Sequence, residues 1–416
     1  MDQRSRDFVR NRLADPAWLV RANPRLVIAS LESAADRTQL LAAAVYRTSA
    51  HLHQDSSAAV RRQVLSLDAA RIGERALAAR ISEVSVDGEP AALWRVRWVG
   101  GPQSDPRLVR AASGRTGEVL TVASATSAGR KIVISGIDDG TVRLWDLLSG
   151  KQLGEPLVGH SECVLAVAGA VRDGRLVAVT GSDDGVLRIF DVATGLPVGG
   201  PLVGHSASVR ALTVSTVDGR PLAVSGGWDQ TVRIWDLSAE QRPVGRVLAG
   251  HRSEVWAVAT TEVYGRALAV TGGGDGTARV WDVADAQQCG EPLNGHDGPV
   301  HAVATAQVEG RPVAVTGGWD GTLRTWDLRG DRRRQLGRIR TGHDDPRWAV
   351  AAGTFGSRAI AATGGGDGRV RIWNLRTLEQ IGPDLVFPSA VRTLATAPGD
   401  RLVVGFDREV AVLEPR

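Results

Sequence analysis

The sequence predicts an all-β fold, a seven-bladed β-propeller with a small N-terminal α-helical module. Three observations carry this expectation: a unit repeats every 45 to 47 residues, each unit contains about four short alternating apolar runs, and the composition changes ahead of the first unit. Gly-His pairs end at His160, His205, His251, His296 and His343. Aromatic-acid pairs follow at Trp145-Asp146, Phe190-Asp191, Trp235-Asp236, Trp281-Asp282 and Trp326-Asp327, with Trp373-Asn374 sixth. Within HSASVRALTVSTVDGRPLAVSGGWDQTVRIWD, residues 205–236, Asp-Gly and Gly-Gly turns separate the runs, and PVGRVLAGH leads to the next His. One four-stranded sheet cannot bury both of its faces, whereas sheets packed face to face about an axis can.

Gly-His, a turn Asp and Trp-Asp recur together in this order over roughly residues 114–374, and the pattern resembles the WD-repeat family. The resemblance implies a closed ring of blades and a binding platform without enzymatic activity. From Arg107 to Arg416 the period leaves room for almost seven units. The first has Arg115 where His is expected, and the seventh, residues 389–415, lacks Trp-Asp and stops one strand short. RLVRAA, residues 107–112, is expected to supply that strand and remove both open edges. The predicted organisation is a helical module over 1–90, a linker or extended segment over 91–106 and the propeller over 107–416.

In the N-terminal segment, RTQLLAAAVYRTSAHLHQ and SSAAVRRQVLSLDAARIGERALAARI carry Ala, Leu and Arg at helical spacing, while DPAW and NPRL mark helix starts. His51 and His53 lie two apart, on different helix faces, which argues against a metal pair and for solvated side chains. Trp94 and Trp98 alternate with arginines in a strand or extended linker. AVYRTSAHLHQ followed by RRQVLSLDAARIG resembles the segment that precedes propellers in bacterial STAND-type signalling NTPases. A phosphate loop needs a Lys in GxxxxGK[ST], and neither Lys131 nor Lys151 has that context. The resemblance therefore implies a stand-alone relative or the sensor end of a larger system.

Composition narrows the function classes. No run of 18 apolar residues could span a membrane, and MDQRSRDFVRNRL lacks the apolar core of a secretory signal, so a cytoplasmic location is expected. Cys163 and Cys289 have no metal-ligand spacing and are too few to staple a secreted scaffold. Net charge is +4 and the arginines are spread along the chain, which argues against nucleic acid as the partner.

The residues divide into frame and display. In five units the His precedes the turn Asp by 24 residues, with Ser or Thr four before the Asp and the aromatic six after it. The sets are His160, Thr180, Asp184 and Phe190; His205, Ser225, Asp229 and Trp235; His251, Thr271, Asp275 and Trp281; His296, Thr316, Asp320 and Trp326; His343, Thr363, Asp367 and Trp373. A catalytic site occurs once, and a constellation repeated five times is expected to be a buried hydrogen-bond chain. Phe190 should leave its chain incomplete for want of an indole N–H, and Arg115 should break the first.

The position before the turn Asp varies freely: Asp138, Asp183, Trp228, Gly274, Trp319, Gly366. A second variable position follows the first core residue of each unit: Leu120, Leu165, Arg210, Trp256, His301, Trp348, Arg392. The family resemblance places both near one mouth of the central channel. Trp228, Trp256, Trp319 and Trp348, with His301, Arg210 and Arg392, are therefore expected to bind a protein or peptide, since Trp and Arg dominate recognition hot spots. The plainer alternative is that the indoles only fill space between loops. The expected function is a non-catalytic interaction scaffold or sensor with no metal, cofactor or small-molecule substrate. The alternatives are an enzyme using Asp138, Asp183, Glu118 and Glu254 in the channel mouth, and a nucleic-acid-binding propeller.

Overall fold

The computed structural model describes residues 12–88, 93–101, 117–127, 129–238, 245–330, 333–343, 345 and 349–415. The chain forms two compact units, one of residues 1–100, 382–388 and 411–416, the other of residues 101–381 and 389–410.

In the first unit the described helices are α1 (Pro16–Arg21), α2 (Pro24–Ser30), α3 (Arg37–Thr48), α4 (Ala50–His53), α5 (Ala58–Arg71) and α6 (Arg75–Ser82). Short polar side chains start them: Asp15 accepts from the Ala17 N–H at 2.9 Å, Asp36 from Gln39 at 2.9 Å and Ser57 from Val60 at 3.3 Å. Leu19, Val27, Tyr46, Leu65 and Ile81 form the centre of one apolar core. His51 is exposed, but His53 is completely buried, which corrects the expectation that both are solvated. The short helix α4 turns His53 inward, with Nε2 3.0 Å from the Ser49 hydroxyl and its ring centroid 4.3 Å from that of Tyr46. The same hydroxyl donates to the buried Asp68 carboxylate. Burial, with the charges of Arg61 and His51, pushes the His53 pKa down to about 4, so the ring is neutral at pH 7.

Seven antiparallel sheets make the propeller. The inner strands are Val119–Ser127, Val164–Arg172, Val209–Val217, Val255–Val263, Val300–Val308, Ala349–Phe355 and Val391–Ala397, each paired to the next strand in the chain. The seventh sheet consists of Val391–Ala397, Arg401–Phe406, Glu409–Pro415 and, in the outer position, Trp94–Gly100. That outer strand lies inside the segment expected as a linker, and the expected closing strand 107–112 lies outside the described residues.

A repeated small-to-large fit joins the blades. At six of the seven junctions a glycine near the end of the second strand leaves space for the first Val of the next inner strand: a Cβ on Gly226 would stand 2.5 Å from Val255 Cγ1. Gly136 faces Val164, Gly181 faces Val209 and Gly364 faces Val391 in the same way. The series closes on itself, since a Cβ on Gly405 of the seventh blade would meet Val119 of the first at 3.0 Å. Across the same junction the Val119 N–H donates to Asp407 O at 2.6 Å, and the Val122 N–H to Thr393 Oγ1 at 3.1 Å. Closure buries the faces of the first and seventh blades that an open arc would leave exposed.

One core position breaks the pattern. Between the third-strand Arg and the aromatic, the units carry Leu144, Ile189, Ile234, Val280, Thr325 and Ile372. Thr325 is buried, and its hydroxyl has no hydrogen-bond partner among the described residues. Thr325→Val should raise stability by about 1 kcal/mol in urea unfolding, because it removes an unsatisfied polar group while keeping the shape. A variant less stable than the parent would mean that the hydroxyl is bonded in solution.

Candidate interaction site at the mouth of the ring

The rim stands on the repeated polar chain. In the third blade Trp235 Nε1 donates to Ser225 Oγ at 2.8 Å, Ser225 Oγ lies 2.7 Å from His205 Nε2, and His205 Nδ1 lies 3.0 Å from Asp229. A neutral ring with its proton on Nδ1 satisfies the chain, with Ser225 donating to Nε2 and His205 donating to the carboxylate. Burial lowers the pKa of His205 against the raising influence of Asp229, which keeps that ring neutral. The contact is thus a hydrogen bond to a carboxylate and not an ion pair, although it lies within ion-pair distance. The chain recurs through Thr271 in the fourth blade, Thr316 in the fifth and Thr363 in the sixth, with the Trp281, Trp326 and Trp373 indoles 2.8, 2.9 and 2.9 Å from those hydroxyls. His251, His296 and His343 complete it, at 3.0 to 3.2 Å from Asp275, Asp320 and Asp367.

The second blade lacks the indole, and there Thr180 turns its hydroxyl to the Arg188 carbonyl at 3.3 Å while holding His160 Nε2 at 2.7 Å. In the first blade Trp145 donates to Ser135 at 3.0 Å, and Arg115 lies outside the described residues.

Sequence reasoning missed the arginine two residues before each aromatic: Arg143, Arg188, Arg233, Arg279, Arg324 and Arg371. Arg188 and Arg371 place Nη1 2.7 and 2.8 Å from the His Nδ1 and 2.9 and 3.0 Å from the Asp carboxylate of their blades. Their recurrence in six units was the available signal.

A second feature of the frame aims the display residues. In six of the inner strands the register to the second strand slips by one residue, and the residue left without a partner is Leu120, Leu165, Arg210, Trp256, His301 or Arg392. Each is a β-bulge, which turns a side chain out of the alternation of its strand. All six side chains line one cavity of about 570 Å³ at the centre of the ring. The seventh expected member, Trp348, lies outside the described residues.

The structure gathers part of the expected set. Arg210 lies with its guanidinium carbon 5.8 Å from the Trp228 ring and 5.4 Å from the Trp256 ring, and the two indoles lean together with centroids 5.8 Å apart. Trp228 is 43% and Trp319 38% exposed, whereas the frame residue Trp235 has no exposed surface, so the two kinds of Trp are physically distinct. The Trp256 indole N–H is buried and has no partner among the described residues. The backbone N–H of Trp319 donates to Pro299 O at 2.9 Å, which fixes the chain at that position of the fifth blade. Arg392 is set apart, because its guanidinium pairs with Glu118 at 3.0 Å.

The carboxylates weighed for catalysis take separate partners. Asp138 accepts from the Gly117 N–H at 2.7 Å, Asp183 from Ser208 and Glu254 from Ser253. Among the described residues no group of three His, Cys, Asp or Glu side chains could hold a metal ion, and no helix is long and apolar enough to cross a membrane. Cys163 and Cys289 form no disulfide and are half-buried.

The family model described as WD domain, G-beta repeat, matches this chain at residues 107–146, 150–191, 198–236, 242–282, 287–327 and 334–374, more than half of its length. No curated protein matches it.

Proposed function

Because the chain belongs to the WD-repeat family, we propose that it is a non-catalytic interaction scaffold or sensor that binds a protein or peptide at the mouth of its ring. The observation that carries this reading is the Trp228–Arg210–Trp256 cluster, together with the exposed Trp319 of the fifth blade. A guanidinium held against two indoles loses little side-chain freedom on binding, and rigid Trp and Arg side chains dominate recognition energies. A buried indole N–H without a partner favours a ligand that brings an acceptor, such as a peptide carbonyl. With Arg392 neutralised by Glu118, the site centres on the third to fifth blades. The helical segment resembles that of bacterial STAND-type systems, and this supports a place in cytoplasmic bacterial signalling.

The test is affinity capture from the source cell, followed by titration of the purified partner with the parent chain and with Trp228→Ala combined with Trp319→Ala. Each hot-spot Trp contributes on the order of 2 kcal/mol, so binding should fall at least about 30-fold while the melting temperature stays within a few degrees. Lost stability with retained binding would show that the indoles only fill space.

A further inference from the structure

The fifth blade differs from its neighbours at the outer edge. Its fourth strand, Gln335–Arg340, is six residues long, whereas the outer strands of the second, third and sixth blades are Leu202–Val203, Arg246–Leu248 and Leu385–Val386. It ends its sheet, so a row of backbone N–H and C=O groups faces away from the blade. The stretch DRRRQLGRIR around it places five arginines between positions 332 and 340, a local exception to the spread of charge along the chain. Arg334, Leu336, Arg338 and Arg340 are exposed, and these three arginines have no ion-pair partner among the described residues. Trp94–Gly100 also carries two arginines, but Arg95 and Arg97 are neutralised by Glu414 at 2.8 and 2.9 Å.

A cavity of about 340 Å³ adjoins this strand. A register slip opposite Thr325 and Trp326 leaves Leu336 unpaired, and Leu336 lines the cavity with Leu378, Arg311, Arg329 and Arg376. Thr325, whose buried hydroxyl has no partner among the described residues, contributes to the wall, and the bare Gly337 opposite it admits the Leu378 side chain, since a Cβ there would stand 2.3 Å from Leu378 Cδ1. The three arginines of the wall share two carboxylates, Asp327 and Glu309.

We propose that this edge binds an extended acidic peptide by strand addition. The peptide backbone pairs with Gln335–Arg340, its carboxylates face Arg334, Arg338 and Arg340, and one aliphatic side chain enters the cavity beside Leu336. Residues two apart on a strand lie about 6.7 Å apart, so alternate acidic residues of an added strand match Arg338 and Arg340. A second copy of this edge would oppose like charges, which is how charged edges prevent self-pairing. The strand offers no aromatic platform for stacked bases, which disfavours single-stranded nucleic acid. The site is separate from the channel mouth and does not depend on that reading.

The test uses the full chain and a fluorescein-labelled peptide Asp-Val-Glu-Val-Glu-Val-Asp, read by anisotropy and by hydrogen exchange. Binding should be saturable, weaker in high salt, and accompanied by slowed exchange at residues 335–340. Arg338→Glu with Arg340→Glu should weaken it about tenfold or more, and Arg334→Gln about twofold, at unchanged melting temperature. The Trp228→Ala and Trp319→Ala double variant should bind the peptide like the parent. The proposal is overturned by absent saturation, by equal binding of a peptide with Lys at every acidic position, by undiminished binding in the charge-reversed variant, or by protection elsewhere. Tighter binding of a single-stranded oligonucleotide, without protection of the strand, would also overturn it.

Discussion

Trp235→Ala is expected to lower the unfolding free energy by about 3–5 kcal/mol, the usual cost of truncating a buried Trp, and that is a large part of an ordinary domain's stability. The indole is fully buried in a cluster with Leu212, Val214 and Ala223, and its Nε1–H donates to Ser225 Oγ at 2.8 Å. It also fits against a glycine, since a Cβ on Gly204 would stand 2.9 Å from its ring. The loss therefore combines a cavity with a broken hydrogen bond. Trp235→Phe separates the two contributions. Position 190 shows that a blade accommodates a phenyl ring, with the hydroxyl turned to a backbone carbonyl, so Trp235→Phe should cost about 1 kcal/mol for the bond plus a smaller packing loss. Urea unfolding of both variants checks this. If Ala costs no more than Phe, the indole is not part of the frame.

Acid should unfold the protein in two stages. His205 and His296 have pKa values lowered by burial, so the folded state binds fewer protons there than the unfolded chain, whose histidines titrate near about 6.5. Their contribution is complete above that pH and is lost as pH falls through the folded values. The turn aspartates follow at lower pH. Burial acts to raise the Asp184 pKa, but the hydrogen bond and charge of His160, the Val186 N–H and Arg188 outweigh it and hold the group at about 2. Similar partners hold Asp229, Asp275, Asp320 and Asp367 below the ordinary carboxylate range. Depressed carboxylates stabilise above about pH 4 and lose that contribution as pH falls through their folded pKa. Asp184→Asn should therefore destabilise by roughly 2 kcal/mol at pH 7, with the gap to the parent closing toward pH 2. Unfolding midpoints at pH 7, 5 and 3 measure it, and a gap independent of pH would assign the loss to shape and not to charge.

The repeat period, the seven-sheet ring and the residues of each polar chain were legible in the sequence. A ring of like blades must solve the same packing problem each time, so the solution recurs at fixed spacing, as in His205, Ser225, Asp229 and Trp235. The arginine before each aromatic was equally legible by recurrence and was passed over, as was the basic run around Gln335–Arg340. Trp228 could be separated from Trp235 because the frame leaves its position free.

Only the tertiary structure decided which free residues meet. The bulges that turn Arg210, Trp256 and His301 toward the channel come from pairing with a second strand, which the local alternation of apolar residues does not encode. Arg210 against two indoles and Arg392 neutralised by Glu118 from the other end of the repeat array are meetings of residues that sequence distance leaves unrelated. Periodicity reports the side chains that every blade requires. Charge pairing and exposure depend on distances in space, and these exist only once the ring has closed.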